Sequence, residues 1–178
     1  MPQARRLLKR EMDASNVVAL RDRALLAVFA YTSARAGAAA QLRRSDFYDS
    51  GEQWMLRFTE KGGKAREIPV RHDLRGMIAA YLEAAGLDNA AKDAPLFRAA
   101  IGRTGRLAST AIHVNDICRM MKRRLADASL PSRLSPHSFR VAVITDLLTQ
   151  GVPLEDVQYL AGHATRVPRG STTGGRRK

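Results

Sequence analysis

The 178-residue sequence is poor in cysteine, aromatic residues and acidic residues, and it has no long apolar run. The single cysteine, Cys118, permits no disulfide within one chain, so we predict a buried thiol in a reducing cytosol. Aromatic residues make up only 6 % of the chain, which argues against single-strand binding through stacked bases. No apolar stretch approaches the roughly 18–20 residues that cross a membrane, and no secretory signal is recognisable. These absences predict a cytoplasmic protein without a membrane partner.

The shortage of acidic residues leaves a strong positive charge. Lysine and arginine number 30 against 17 aspartate and glutamate, giving a formal net charge of +13. Such a balance predicts a polyanionic partner, either nucleic acid or an anionic membrane surface. The basic residues are spread from Arg5 to Lys178, which favours a basic folded surface over a single charged arm. Because no membrane signal accompanies them, nucleic acid is the preferred partner.

The chain divides into three parts by composition. We predict a basic lead over residues 1–18, one folded domain over 19–163 and a disordered tail rich in glycine and arginine over 164–178. A chain of this length can bury a substantial core. The fold class predicted for the domain is mainly α (α+β), a helical bundle with a small three-stranded antiparallel sheet.

Periodicity and turn residues place the elements of this domain. Apolar residues at helical spacing predict helices over 18–32, 36–42, 72–85, 109–128 and 154–160, with a further helix starting near residue 136. Alternation predicts strands over 54–59 and 65–70, joined by a glycine-containing turn over 60–64, with a third strand at 47–48. We predict a buried connector at residues 95–97 and a basic loop at residues 102–106.

One helix start carries two groups suited to a phosphate. Ser135 can cap that helix, and Pro136 suits its first position because the missing N–H costs nothing there. His137 and Arg140 then lie on the same helical face, at an end that already attracts anions. The alternative is a plain helix start with an exposed arginine. The sequence leaves both interpretations open.

Three more cationic residues stand at positions that could converge on the same phosphate. Arg35 lies in a junction of small residues between two helices, Lys61 lies in the hairpin turn, and His163 follows a glycine after the last helix. Each taken alone also fits an ordinary surface, turn or capping residue. His72 and His113 have no such companions, so we predict structural roles for them.

Taken in order, these residues resemble the catalytic domain of the tyrosine recombinase and phage integrase family. That family carries T-G-[LA]-R-x-x-E, a hairpin of the type G-K-G-x-K-x-R, H-x-x-R and then L-G-H. The matching segments are Thr32-Ser-Ala-Arg35, Lys61-Gly-Gly-Lys-Ala-Arg66, His137-Ser-Phe-Arg140 and Leu160-Ala-Gly-His163. Residues 42–46 and 68–70 also fit the family's L-[KR]-x-x-D and [IV]-P-[LV]. Each motif is weak alone, but the ordered set is specific.

The resemblance implies a DNA strand transferase of the bacterial cytoplasm that is nucleoid-associated or encoded by a mobile element. A tyrosine hydroxyl would attack the scissile phosphodiester, forming a 3′-phosphotyrosyl bond without metal or nucleotide cofactor. Arg35, Arg140 and His163 would stabilise the transition-state charge. Lys61 would protonate the leaving 5′-oxygen, assisted by His137. The implied partners are duplex DNA and other recombinase protomers, with DNA contacted by a wider basic set: Arg43, Arg44, Lys64, Arg66 and Arg123.

Two positions depart from the family pattern. The acidic residue three places after the first arginine is Ala38, which removes a carboxylate that would orient Arg35. The nucleophile is also missing, because Thr172 stands nine residues after His163, where the family has tyrosine. An alkoxide leaves less readily than a phenoxide, so threonine does not replace it. Tyr159 lies before His163 and is predicted to pack into the core.

The tail suggests how the tyrosine was lost. Family members often continue H-A-D-P-R-T-T-R-L-Y-D-R-R after the L-G-H motif. Removing one base after the alanine codon in one coding of that peptide yields A-T-R-V-P-R-G-S-T-T-G-G, which is residues 164–175. We hypothesise a one-base deletion in the gene or in its reading.

The sequence supports an integrase-derived domain that binds duplex DNA and does not complete cleavage. The helical DNA-clamping domain that usually precedes this catalytic domain is also not recognisable, which predicts weak, salt-sensitive binding. One rival hypothesis is a non-enzymatic remnant that modulates a full-length recombinase. The other is a basic nucleic-acid-binding module whose motifs are coincidental.

Overall fold

The computed structural model describes residues 16–59, 63–131 and 135–162. In this part of the chain six α-helices surround a three-stranded antiparallel sheet, with a separate two-stranded sheet beside them. The predicted α+β class with a small three-stranded sheet is therefore confirmed. The proposed lead and tail fall largely or wholly outside the described residues, so their boundaries stay predictions.

Helix α1, Val17–Thr32, is the central core element. Asn16 caps it, since its Oδ1 accepts from the amides of Val18 at 2.9 Å and Ala19 at 3.3 Å. All six residues from 24 to 29 are buried, so this helix is apolar around most of its circumference. It packs against α3, His72–Ala84, which buries Leu74, Ile78, Tyr81 and Leu82.

The sheet follows a short helix α2, Ala36–Ala40, and a single 3₁₀ turn, Arg44–Asp46. Its strands are β1, Phe47–Asp49, β2, Trp54–Thr59, and β3, Ala65–Pro69, in the order β1-β2-β3. Leu56, Phe58 and Ile68 point into the core. Pro69 closes the last strand, as its missing N–H requires.

The second sheet corrects the sequence prediction. Strand β4, Arg98–Ala100, pairs with β5, Leu107–Ala111, across the basic loop. Residues 109–111 are therefore strand, and the predicted helix over 109–128 starts too early. Helix α4 spans Val114–Asp127, where His113 caps it by accepting the Asn115 amide at its Nδ1, 3.2 Å away.

Two further helices complete the described part of the chain. They are α5, Pro136–Thr149, and α6, Leu154–Leu160, both close to their predicted positions. Helix α5 packs against α1 and α6. None of the described helices is long and apolar enough to cross a membrane.

A buried carboxylate ties α1 to α4. Asp22 is fully buried and accepts from its neighbour Arg21, which is itself 3 % exposed, through Nη2 at 2.6 Å. Its other oxygen accepts from Arg123 at 2.7 Å and from Arg124 at 2.9 Å. Arg21 also donates to the carbonyl of Arg98 on β4, at 2.7 Å. One negative charge thus holds three arginines from two helices.

Candidate functional site

The N-terminus of α5 and the junction between α1 and α2 enclose a cavity of about 300 Å³. We call it the phosphate cavity, and it is lined by Ala34, Arg35, Ala36, Cys118, Ser135, Pro136, His137 and Arg140. Three cationic or potentially cationic groups from segments about a hundred residues apart therefore meet at one helix start. Such a start attracts anions through its free N–H groups and its dipole.

The α5 start folds as its sequence predicts. The Oγ of Ser135 accepts the Ser138 amide at 3.2 Å, and Pro136 occupies the first turn. His137 is exposed at the cavity mouth, while Arg140, one turn further, is only 6 % exposed. The arginine donates from Nη1 to the Ser33 carbonyl at 2.8 Å and from Nη2 to the Ala161 carbonyl. Helix α5 thus presents the imidazole to solvent and anchors the guanidinium at the cavity wall.

The α1–α2 junction places Arg35 at the cavity. Helix α1 ends at Ser33, which adopts a left-handed conformation with φ of 54°, and the chain then runs extended through Arg35. Ala34 is buried, which fixes the backbone on which the exposed Arg35 side chain stands. Ala38, where the family pattern has a carboxylate, is buried in α2 and supplies no charge.

Ser33 is an unfavourable residue for this junction. A non-glycine residue in the left-handed region costs roughly 1–2 kcal/mol, and the buried Oγ of Ser33 has no hydrogen-bond partner. We expect Ser33→Gly to raise the free energy of unfolding by about 1 kcal/mol, because it removes both penalties and keeps the carbonyl that Arg140 uses. Chemical denaturation measures the change.

Ser129→Gly is the matched control for that substitution. Ser129 has φ of 53° but is exposed, so the substitution relieves the backbone without removing a buried hydroxyl. We expect a smaller gain than at Ser33. Equal gains in the two variants would show that the buried hydroxyl carries no cost.

Three of the five predicted DNA-contacting residues are exposed, namely Arg43, Lys64 and Arg123. Arg44 is half-buried and donates to the Phe47 carbonyl at 3.1 Å. Arg123 is committed in part to the Asp22 cluster, although its side chain is 55 % exposed. The fifth residue, Arg66, is 3 % exposed, so it stands in the interior and not on the surface where the sequence interpretation placed it.

Several predicted positions lie outside the described residues. They are Lys61, His163 and Thr172. Their nearest described neighbours are the end of β2 at Thr59, the start of β3 at Ala65, and Gly162, which has φ of 64°. The structure therefore brings together Arg35, His137 and Arg140 of the predicted set.

Cys118 is a site residue that the sequence interpretation missed. It was predicted to be a buried thiol, but it is half-buried and lines the phosphate cavity from α4. Its neighbours on the helix, Ile117 and Met121, are buried in the core. The buried residues of α4 recur at helical spacing, and position 118 lies beside the stripe that they form. This spacing is the sequence signal that could have identified Cys118 as partly exposed.

All four tyrosines of the chain lie in the described part, and none lines the phosphate cavity. Tyr31 donates to Asp73 at 2.7 Å, Tyr48 donates to Glu67 at 2.8 Å, and Tyr81 is fully buried. Tyr159, half-buried on α6, donates to the Glu67 carbonyl at 3.1 Å. Each hydroxyl group is engaged elsewhere in the fold or buried away from the cavity.

Tyr48 belongs to an electrostatic cluster on the three-stranded sheet and not to the phosphate cavity. Burial, followed by its hydrogen bond to Glu67, raises the pKa of Tyr48 above its ordinary value. The pKa of Glu67 is lowered, because its carboxylate accepts hydrogen bonds from Arg57 and Tyr48. This cluster holds β1, β2 and β3 together.

Among the described residues, no three His, Cys, Asp or Glu side chains gather closely enough to share a metal ion. The groups that the cavity offers are instead cationic hydrogen-bond donors. Donors of this kind bind an oxyanion such as a phosphodiester.

Comparison with known proteins decides the family. The sequence model of the phage integrase family matches residues 3–167. The chain belongs to the phage integrase family. Within it, the chain is 36 % identical over 149 residues to tyrosine recombinase XerC of Rhodospirillum centenum, which covers 83 % of this chain and 40 % of the relative. XerC of Rhizobium meliloti is 34 % identical over 154 residues, covering 83 % of this chain and 43 % of that protein.

Solved structures show the same fold. The XerA recombinase superposes with a TM-score of 0.71 at 23 % identity, covering 92 % of this chain and 55 % of that one. XerH, a site-specific recombinase bound to its difH substrate in a pre-cleavage complex, gives 0.70 at 24 % identity, with coverage of 92 % and 44 %. By the coverages given for the two XerC relatives, the chain spans less than half the length of each.

Proposed function

We propose that this chain is the DNA-binding catalytic domain of a site-specific tyrosine recombinase or integrase. The observation that carries the proposal is the phosphate cavity, where Arg35, His137 and Arg140 meet at the start of α5. Family membership and the XerC relatives support the same assignment. The ligand that fits these donors is a phosphodiester of duplex DNA.

The proposed roles follow the chemistry of phosphoryl transfer. Arg35 and Arg140, with His163, stabilise negative charge on the phosphorus-bound oxygens. Lys61 gives a proton to the leaving 5′-oxygen, and His137 assists that transfer. The wider contacts come from Arg43, Arg44 and Lys64, with Arg123 at its exposed edge. Duplex DNA in the cytoplasm is the proposed partner, together with further recombinase protomers.

We further propose that the chain binds DNA without cleaving it. Support comes from the four tyrosines, all of which are described and none of which lines the phosphate cavity. The family match also ends at residue 167, before the position at which the family carries its nucleophile. The same observation favours a second candidate function, a non-enzymatic remnant that occupies recombination sites and so modulates a full-length recombinase.

Arg35→Ala tests the phosphate cavity directly. We expect the affinity for a duplex of about 30 base pairs to fall roughly tenfold, because one charge-assisted contact to a phosphate is lost. The slope of log affinity against log salt should also become shallower by about one. Fluorescence anisotropy over a salt series measures both quantities.

Arg75→Ala is the control for that experiment. It removes the same charge from an exposed arginine that lies over the Trp54 ring and does not line the cavity. We expect its affinity to stay within about threefold of the unaltered chain. Equal losses in the two variants would mean that the protein is a general polycation, and the proposed site would fail.

A further inference from the structure

Two arginines join the C-terminal ends of two helices. Arg66, on β3, donates from Nη1 to two carbonyls, that of Thr32 at 3.3 Å and that of Leu160 at 2.6 Å. Arg140, on α5, donates to the next carbonyl in each helix. We call this arrangement the carbonyl clamp, made of the two guanidinium groups and the carbonyls of Thr32, Ser33, Leu160 and Ala161.

The clamp satisfies groups that no helix can satisfy alone. The last carbonyls of a helix lack intrahelical partners and carry the negative end of its dipole. Here the ends of α1 and α6 face the same pair of buried cations, which are 3 % and 6 % exposed. The Arg66 guanidinium also lies 4.9 Å from the ring centroid of Phe58, its partner across β2 and β3. Its position is therefore fixed from three sides.

The clamp stands directly behind the phosphate cavity. Arg35 follows Thr32 by three residues, and the L-x-G-H segment begins at Leu160. Arg140 belongs to both the clamp and the cavity lining, whereas Arg66 belongs to the clamp alone. Arg66 is the second residue of β3 and follows Lys64 by two positions. One side chain thus connects β3 with the C-terminal ends of α1 and α6.

We propose that Arg66 is a positioning residue for the phosphate cavity, which sets the backbone before Arg35 in place by holding the Thr32 carbonyl to the Leu160 carbonyl at the end of α6. That the cavity binds a phosphate rests on the proposed function. That Arg66 holds the two helix ends together does not. Arg66 touches no ligand in this role. It acts by holding the two helix ends at a fixed separation.

Arg66→Met removes the donors and keeps a side chain of similar length against Phe58. The matched control is Arg57→Met on the neighbouring strand, which loses the same charge. Arg57 is 43 % exposed and pairs with Glu67 on the other face of the sheet, away from both helix ends. Any difference between the two variants therefore reflects the clamp and not the net charge.

Hydrogen–deuterium exchange without DNA tests the clamp itself. We expect amides at 29–36 and at 157–162 to exchange roughly tenfold faster in Arg66→Met, since a buried charged hydrogen bond to each segment is lost. Amides of α3 should stay as in the unaltered chain. Unchanged exchange at both segments, or a uniform rise that includes α3, overturns the clamp.

Duplex binding tests the positioning role. We expect Arg66→Met to lower affinity roughly tenfold and Arg57→Met less than threefold. Adding Arg35→Ala to Arg66→Met should cost little more than either alone, because both variants remove the same contact. A residue needed only for stability would lower the melting temperature and leave the affinity of the folded protein unchanged, with additive effects.

The two proposals fail in different ways. No duplex binding by the unaltered chain overturns the proposed function. Binding by the unaltered chain, with Arg66→Met equal to Arg57→Met, overturns the positioning role alone. If Arg66→Met does not fold, Arg66→Gln replaces it, since the amide removes the charge and keeps a polar side chain. Exchange at 29–36 and 157–162 and duplex affinity that equal those of the unaltered chain would then overturn the proposal.

Discussion

Restoring one base after the codon for Ala164 is expected to turn a chain that forms no covalent DNA adduct into one that does. In the coding considered above, the restored frame reads D-P-R-T-T-R-L-Y after that alanine and places a tyrosine at position 172. A phenoxide can attack the phosphodiester and leave again, which neither Ser171 nor Thr172 does readily. The expected effect is all or none.

The measurement is covalent capture on nicked duplexes. Because the target site is unknown, a pool of nicked duplexes of random sequence serves as substrate, and adducts are separated on a denaturing gel. The matched control is the restored-frame chain with phenylalanine at the new tyrosine, which should bind equally and form no adduct. An adduct from the unaltered chain would refute its inactivity. The deletion hypothesis would be refuted if the restored-frame chain bound DNA without forming an adduct. It would also be refuted if adding one base to the gene opened no such reading frame.

Asp22→Ala is expected to lower the free energy of unfolding by about 3–5 kcal/mol, the usual cost of removing one partner from a buried ion pair. The aspartate is fully buried, and its loss removes the counter-charge of Arg21, which is 3 % exposed and keeps its hydrogen bond to the Arg98 carbonyl. The helices α1 and α4 would also lose their charged connection. Urea unfolding followed by circular dichroism measures the change.

Arg123→Ala provides the comparison for that variant. Its guanidinium reaches the same carboxylate, but the side chain is 55 % exposed and Asp22 keeps two other arginines. We expect a loss of about 1 kcal/mol or less. If Asp22→Ala were as mild as Arg123→Ala, the cluster would be dispensable for stability.

The features that the sequence predicts are those with local causes. The serine cap and first-turn proline of α5 identify its start to the residue, and an approximate alternation identifies β2. The order of the cationic motifs predicts that Arg35, His137 and Arg140 meet, and they line one cavity. The cap of α5 and the alternation of β2 are each contained within about ten residues, and the third signal is the order of several short motifs.

The features that the sequence hides depend on distant partners. Strands β4 and β5 are rich in alanine, a weak strand former, and only their pairing makes them strands. Arg66 looks like a surface cation of a hairpin, but it finds carbonyls 34 and 94 residues away. From the sequence, Asp22 resembles an exposed polar residue of a helix. In the structure it accepts hydrogen bonds from two arginines of α4, about a hundred residues later.

The two halves of the phosphate cavity lie far apart in the sequence, and this separation has a consequence for biosynthesis. The bond between Arg140 and the Ser33 carbonyl joins residues 107 positions apart. At a translation rate of about 5–20 residues per second, roughly 5–20 s pass between the synthesis of these two residues. During that interval the nascent chain is strongly basic yet has no completed site. The phosphate cavity can therefore take its final form only after α5 has been synthesised and has docked, late in the translation of the chain.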